Sequence, residues 1–202
     1  YDEMVQAQVY MMSKGKNFDQ QLVPYAAVFN EYFGGGLSSI VFQEIRESRA
    51  LAYSAYAGFD VPAKTNEAHY STAFVGTQAD KLKDALTAMS ELLTKMPEAE
   101  AQFSGSKLSL LKQIESERIT KTQKFFTFLR AKDRGLTTDI RKNTYAKAQN
   151  MTWGDLSNFY QTNIGNRNYT IVVMGSRDKL DMNYLQSLGE FKELTLEEVF
   201  GY

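Results

Sequence analysis

The sequence has 202 residues, of which 43% are hydrophobic and 23% are charged, a balance that is ordinary for a globular protein with one sizeable core. Its 23 Lys and Arg residues nearly cancel its 24 Asp and Glu residues, so the charge gives no electrostatic argument for nucleic acid or an anionic membrane as a partner. The lack of cysteine excludes disulfides and thiolate metal sites, and no apolar stretch approaches the ~20 residues that span a bilayer.

The first elements are a strand and a helix. Apolar and more polar residues alternate from Val5 to Met12, which predicts a strand covered on one face. A helix is predicted from Phe18 to Phe33, because Asp19 can cap it and Pro24 is tolerated if it lies in the first turn.

A glycine triplet, Gly34-Gly35-Gly36, separates this helix from a second one. Ser38 or Ser39 can cap the second helix. Its apolar stripe is expected at Leu37, Val41 and Ile45.

A hairpin followed by three helices comes next. Ala52–Val61 and Ala68–Thr77 are rich in Tyr, Phe, Val and Thr and flank a polar segment, which predicts two antiparallel strands. The apolar period then becomes helical, which predicts a helix that ends at Pro97, with two more over Glu98–Ile119 and Lys121–Arg134. The inner faces are expected at Leu108, Leu111 and Ile114 in the second of these helices and at Phe125, Phe128 and Leu129 in the third.

The last clear elements are a capped helix and a strand. Thr152 and Asp155 have the spacing of a capping box, with Asp in place of Glu, before a helix that reaches about Tyr160. The uninterrupted apolar run Tyr169–Met174 predicts a central strand covered on both faces. This order of elements predicts an α+β fold, a mixed or mostly antiparallel sheet with helices packed on one face.

Catalytic chemistry is limited by a single histidine, His69. A catalytic zinc site usually takes two imidazoles and a carboxylate, so this chain alone cannot form the H-x-x-E-H type and we expect no metal ligands and no catalytic residues in it. A Ser-His-acid triad would need His69 as its base, but no G-x-S-x-G elbow is present. His69 is therefore expected to be structural or exposed.

The glycine triplet and the pair Arg46 and Tyr53 each have two interpretations. Gly34-Gly35-Gly36 lacks the Lys-Ser/Thr of a phosphate loop, so it is either a tight connection or a loop that substrate backbone can approach. Arg46 and Tyr53 could converge at the end of the sheet and donate hydrogen bonds to a carbonyl that gains negative charge. The alternative is a surface ion pair with Glu47 or Glu44 and a packed tyrosine.

The segment FNEYFGGGLSSIVFQEIRESRALAYSAYAGF, from Phe29 to Phe59, resembles the signature of the C-terminal, non-zinc half-domains of pitrilysin/insulinase-type (inverzincin) zinc metallopeptidases. The family pattern has an Asn before a Gly-rich turn, a Ser-containing helix start and then R-E-x-x-x-L-x-Y-S. It is matched at Asn30, Gly34, Gly35, Gly36, Ser38, Ser39, Phe42, Arg46, Glu47, Leu51, Tyr53 and Ser54. The order of the remaining elements also fits.

The resemblance implies a two-half clamshell in which zinc and the general base lie on the other half. The half without zinc closes over the peptide and presents an Arg and a Tyr, which correspond to Arg46 and Tyr53. The family's Gly-rich segment, implicated in substrate handling, corresponds to Gly34, Gly35 and Gly36. Residues 1–202 would then form a single α+β domain, the C-terminal portion of a longer peptidase or a separate subunit.

The expected partners are a zinc-bearing half-domain or subunit and a peptide substrate, with no nucleic acid and no membrane. Zinc is expected in the parent enzyme and no cofactor in this chain, which should be inactive alone. Some homologous half-domains have lost peptidase function. The alternative is therefore that this chain has a structural or interaction role. The sequence leaves the compartment open between the bacterial periplasm and the cytoplasm.

Overall fold

A four-stranded antiparallel sheet forms the centre of the computed structural model, which describes residues 4–34 and 36–201. Its strand order is β2-β3-β1-β4. The strands are β1 (Gln6–Asn17), β2 (Ser54–Asp60), β3 (Ala68–Gln78) and β4 (Thr170–Met174).

Helices pack on one face of this sheet, which confirms the predicted α+β class. The helices of the described residues are α1 (Val23–Phe29), α2 (Leu82–Thr94), α3 (Glu100–Ser116), α4 (Lys121–Asp133), α5 (Ile140–Asn150), α6 (Trp153–Asn163), α7 (Met182–Ser187) and α8 (Leu196–Phe200). Asn30–Gly34 and Phe42–Ser48 are π-helical, and Ala79–Lys81 and Arg177–Lys179 are 3₁₀ turns. Among the described helices, none is both long and apolar enough to cross a membrane.

The two faces of the sheet differ sharply in exposure. On the covered face, Ala7, Val9 and Met11 of β1 are buried, as the alternation predicts. On the other face, the pairing register places Val172, Tyr10, Phe74 and Tyr56 in one row across all four strands. Val172, Tyr10 and Tyr56 are 53%, 46% and 41% exposed, whereas Phe74 is 9% exposed, so this row is apolar and mostly open. We refer to this row as the open-face row.

Aromatic side chains pack on the covered face, and the hydroxyls of its two buried tyrosines form hydrogen bonds. Tyr32 and Tyr160 are fully buried, and their hydroxyls donate to the carbonyl oxygens of Pro97 (2.7 Å) and Leu92 (2.9 Å). Phe29 stacks on Phe33 with ring centroids 4.9 Å apart. Because a buried hydroxyl without a partner costs about 1–3 kcal/mol, these two bonds make the core compatible with tyrosine.

The predicted hairpin and the predicted capping box are both confirmed. β2 and β3 pair antiparallel from Ser54 opposite Gly76 to Asp60 opposite Tyr70. Thr152 accepts from the backbone N–H of Asp155, whose carboxylate accepts from the Thr152 N–H in return. Local chemistry therefore predicted these elements correctly.

The interpretation of Tyr169–Met174 as a central, doubly covered strand is wrong. β4 pairs with β1 at one end of the sheet and has no second neighbour among the described residues. Ile171 and Val173 are partly buried, whereas Val172 and Met174 are exposed. The apolar run is continuous because the open face is itself apolar, so it does not require cover on both faces.

Two predicted helix faces also need correction. In α3 the buried residues are Phe103, Ser106 and Leu110. Of the predicted inner face, Leu111 and Ile114 pack partly buried against the core, while Leu108 is 52% exposed. In α4 no residue is buried, and Phe125 and Phe128 are 59% and 64% exposed. The helical period was read correctly in both, but periodicity alone cannot tell which neighbour, if any, receives the apolar face.

The helices near the glycine triplet begin later or differ in type from the prediction. α1 begins at Val23 rather than Phe18, with Pro24 in its first turn, because Asp19 instead closes a local turn by accepting from the Gln21 N–H. The next helix buries Val41 and Ile45 as predicted but leaves Leu37 74% exposed.

His69 links the segment that precedes α1 to the β2–β3 hairpin through two hydrogen bonds. Its Nε2 accepts from the backbone N–H of Asp19 (3.1 Å), which leaves Nδ1 to donate to the carbonyl oxygen of Asp60 (3.1 Å). The ring is fully buried and stacks on Phe59 at 4.9 Å. It is a structural histidine in its neutral form, as the absence of a triad suggests.

The neutral state of His69 makes stability depend on pH. Burial is the largest influence and lowers the pKa of His69, against the hydrogen bond to the Asp60 carbonyl and the charge of Asp19, which raise it. The charges of Lys16 and Arg134 make smaller contributions in the same direction as burial. The unfolded chain therefore binds this proton more readily. The stabilisation is complete above the ordinary histidine pKa of about 6.5 and is lost as pH falls below it, by at most about 1.4 kcal/mol per pH unit.

Urea unfolding between about pH 7.5 and about pH 5 should show this slope in the wild-type protein. In the His69→Gln variant the free energy of unfolding should depend less on pH, because the contribution of the imidazole is lost, whatever the absolute stability of the variant. Equal slopes in the two proteins would contradict the role given to His69.

Candidate functional site

The connection between the second helical region and β2 places Arg46 and Tyr53. Arg46 lies in the π-helical segment Phe42–Ser48, and Tyr53 directly precedes β2. The chain reverses at Ala50, whose φ of +48° lies in the left-handed region and costs a residue with a Cβ about 1–2 kcal/mol. The Ala50 N–H donates to the Arg46 carbonyl (3.2 Å), which closes the end of the helix.

Side chains and backbone at the end of β3 hold this reversal in place. Thr77 donates from Oγ1 to the Leu51 carbonyl (2.5 Å), and the Tyr53 N–H donates to the Gly76 carbonyl (2.9 Å). Lys81 donates from Nζ to the carbonyl of Ala50 (3.1 Å). These three hydrogen bonds fix the segment between Arg46 and Tyr53 as a rigid turn.

A cavity of about 300 Å³ opens beside this turn. It is lined by Arg46, Glu47, Ala50, Leu51, Ala52, Tyr53, Gln78 and Lys81. The structure therefore brings together the two residues that the sequence singled out. Two of the lining side chains are cationic and one is anionic, which favours an electron-rich ligand group.

Arg46 keeps its guanidinium free to act as a donor. The side chain is 47% exposed and its guanidinium lies 4.9 Å from the centre of the Phe42 ring. Its Nε is 3.7 Å from a carboxylate oxygen of Glu47, which is an ion pair but too long for a hydrogen bond. Glu44, the other partner considered, lies 3.9 Å from Arg49 instead. An exposed pair of this kind contributes only about 0–1 kcal/mol, so it can be exchanged for a ligand.

Tyr53 presents its ring and hydroxyl at the mouth of the cavity. The residue is 54% exposed, so it is not the packed tyrosine of the alternative interpretation. Its hydroxyl oxygen accepts a hydrogen bond from Nε2 of Gln78 (3.0 Å). The site can thus direct guanidinium N–H groups and a phenol toward one ligand.

The glycine triplet lies apart from this cavity. A Cβ on Gly34 would lie 2.8 Å from the carbonyl oxygen of Ala57 in β2, so a side chain is excluded by backbone. A Cβ on Gly36 would meet nothing within 4 Å. Gly35 lies outside the described residues. Gly34 is therefore explained by close packing on β2, and a role for the triplet in substrate handling stays a prediction.

The Asn30 side chain forms hydrogen bonds with β2, the edge strand on which Gly34 also packs. Its side-chain amide accepts from the Phe59 N–H (2.8 Å) and donates to the Phe59 carbonyl (3.2 Å), as a neighbouring strand would. This satisfies backbone groups of β2 that face away from β3 and fixes the segment leading to Gly34.

Sequence analysis missed Thr77, Gln78 and Lys81. Thr77 and Gln78 end the strand and Lys81 follows in a short, mostly polar run, which by itself resembles any strand end. The signal was nevertheless present, because an antiparallel hairpin must place the end of β3 beside the start of β2, where Tyr53 lies.

The described residues contain no group of three or more His, Asp or Glu side chains that could hold a metal ion. The cavity lining has no histidine, and Glu47 is its one carboxylate, so hydrogen-bond donors predominate. Donors of this kind can stabilise charge on a carbonyl or carboxylate group of a ligand.

The chain belongs to the family of peptidase M16 inactive domains, whose family model matches residues 2–110. An uncharacterized zinc protease of Mycobacterium leprae is 37% identical over 67 residues, which are 33% of this chain and 14% of that protein. This chain therefore spans a small part of that relative.

Solved structures share the fold. The peptidase M16 inactive domain from Pseudomonas fluorescens aligns with a TM-score of 0.69 and 17% identity over 84% of this chain and 40% of that one. A chain of complex III2 from Candida albicans aligns with a TM-score of 0.66 and 12% identity over 93% of this chain and 47% of that one. At such identities the likeness shows the fold alone.

Gly34→Ala should destabilise the protein by about 1–3 kcal/mol, because the added methyl group meets the Ala57 carbonyl and the backbone must shift. Gly36→Ala is the matched control and should leave stability unchanged or raise it by a few tenths of a kcal/mol, since space is open and the unfolded chain loses freedom. Urea midpoints measure both. Equal midpoints for the two variants would contradict the packing role of Gly34.

Proposed function

We propose that this chain is the substrate-binding, non-zinc half of a zinc metalloendopeptidase that acts on peptides. The observation that carries the proposal is that Arg46 and Tyr53 line one cavity with exposed donors, on a turn fixed by three hydrogen bonds. Membership in the family of peptidase M16 inactive domains supports an arrangement in which zinc and the substrate-binding residues lie on different domains.

The proposed role of the pair follows from where charge develops during hydrolysis. Water activated by zinc on the other half attacks the peptide carbonyl, whose oxygen becomes an anion. Arg46 and Tyr53 orient the peptide and donate hydrogen bonds that strengthen as this charge grows. A charged donor and a neutral donor are both suited to that task.

A partner half-domain is supported by the open-face row defined by Val172, Tyr10, Phe74 and Tyr56. A row of aromatic and aliphatic side chains that crosses a sheet and is mostly exposed is typical of a surface that a second protein element covers. The proposed partner is the zinc-bearing half-domain or subunit of the same family, and the proposed ligand of the complete enzyme is a peptide.

The isolated chain should bind no stoichiometric zinc and hydrolyse no peptide. With one His and no Cys, it has too few of the ligands that a catalytic zinc site uses. Metal analysis after dialysis and a fluorogenic peptide assay measure the two properties. One equivalent of bound zinc together with hydrolysis that a chelator abolishes would overturn this expectation.

Tyr53→Phe and Arg46→Ala should each lower kcat of the complete zinc-loaded enzyme by ~10²–10³-fold, the usual effect of removing one donor to an oxyanion. Tyr53→Phe removes only a hydroxyl, so folding should be unaffected. Arg46→Ala also removes the side-chain stem from the Phe42 ring, so its thermal midpoint must be measured separately.

Zinc content should be unchanged in both variants, since neither residue is a ligand. If both residues served only a surface ion pair and packing, turnover would stay near the wild-type rate while stability changed by about 0–1 kcal/mol. Folded, zinc-loaded variants with wild-type turnover would therefore refute the substrate-site assignment and leave only the fold.

A structural or interaction module of the same fold is the second candidate. Its basis is that a chain of complex III2 shares this fold over 93% of the sequence. The parent polypeptide or partner subunit distinguishes the two functions, because an intact H-x-x-E-H motif with bound zinc is required for the first and not for the second.

A further inference from the structure

Gln78 is the last residue of β3, and one hydrogen bond joins its side chain to Tyr53 in the candidate site. The direction of this bond determines whether the Tyr53 hydroxyl can donate to a ligand. The Nε2 of Gln78 lies 3.0 Å from the hydroxyl oxygen of Tyr53 and donates to it. An amide nitrogen has protons and no acceptor capacity, whereas a phenol has one proton and accepts through its oxygen.

Since the Gln78 amide occupies an acceptor position of the phenol, the phenol proton cannot point back along the same contact. The hydroxyl is then available as a donor on the side away from Gln78. Tyr53 lines the cavity and is 54% exposed, so a ligand can reach this hydroxyl. A carbonyl oxygen gaining negative charge requires such a donor.

Both partners of this bond are held by the backbone as well as by their side chains. The Tyr53 N–H donates to the Gly76 carbonyl at 2.9 Å. Thr77, adjacent to Gln78, is fully buried and donates to Leu51 in the turn that precedes Tyr53. The backbones of the two residues are therefore already fixed, and only side-chain rotamer freedom is lost when their hydrogen bond forms.

We propose that Gln78 is a positioning residue, which fixes the Tyr53 hydroxyl as a hydrogen-bond donor toward the peptide carbonyl. This inference rests on the proposed function of Tyr53 and adds a residue through which the site is prepared before substrate binds. Gln78 itself touches no reacting atom. Preorganised donors avoid reorientation in the transition state, which is the general source of their catalytic effect.

Two substitutions of similar size separate polarity from packing. Gln78→Glu places an acceptor-only carboxylate beside Tyr53, so the phenol proton turns toward Glu and is withdrawn from the peptide. Gln78→Met keeps the length without a strong donor or acceptor, so the hydroxyl is merely released. The complete zinc-loaded enzyme and a fluorogenic peptide substrate are used for both, and Gln102→Glu, on the exposed surface of α3, is the matched control.

The expected order of kcat is wild type and Gln102→Glu highest, then Gln78→Met, then Gln78→Glu. Gln78→Glu should approach the ~10²–10³-fold loss expected for Tyr53→Phe. KM should change by less than about threefold, because the hydroxyl matters most in the transition state. In the Tyr53→Phe background, Gln78→Glu should cause little further loss, because both changes remove the same donor.

The results distinguish failure of this inference from failure of the proposed function. If Tyr53→Phe lowers kcat but both Gln78 variants turn over at the wild-type rate, the positioning role is wrong and the function of Tyr53 stands. Equal losses from Gln78→Glu with and without the Tyr53 hydroxyl also overturn the positioning role. If Tyr53→Phe itself has wild-type turnover, the proposed function fails and this inference fails with it.

Discussion

The hydrogen bonds that hold the turn from Arg49 to Tyr53 against the end of β3 determine the geometry of the candidate site. Thr77 and Lys81 donate to carbonyl oxygens of the turn, and the Tyr53 N–H donates to the Gly76 carbonyl. Because Ala50 adopts a left-handed conformation at a cost of about 1–2 kcal/mol, the reversal needs this support. Arg46 and Tyr53 are brought to one cavity as a consequence.

The two faces of the sheet differ, and this difference is the basis for the proposed pairing with a second half-domain. The covered face buries a core against the helices, whereas the open face carries the row Val172, Tyr10, Phe74 and Tyr56. The cavity lies where the sheet and the second helical region meet, and its lining offers mostly hydrogen-bond donors, with Glu47 as the one carboxylate.

Local patterns predicted much of the fold but few of its contacts. The alternation in β1, the β2–β3 hairpin and the capping box at Thr152 follow from nearest neighbours in sequence, and all were predicted correctly. The edge position of β4 and the exposure of Phe125 depend on what lies beside them in space, which no local period encodes. The pair Arg46 and Tyr53 was found through a motif, while Gln78 was missed because its role appears only once β3 is paired with β2.

The most direct test of a peptide-binding role is a crystal structure of the complete protein, stripped of zinc so that a bound peptide stays intact. The account predicts one backbone carbonyl oxygen of the peptide within about 2.7–3.1 Å of both the Tyr53 hydroxyl and an Arg46 guanidinium nitrogen. It also predicts that Gln78 still donates to Tyr53 in that complex. A peptide bound with no carbonyl within hydrogen-bond distance of either residue would contradict it.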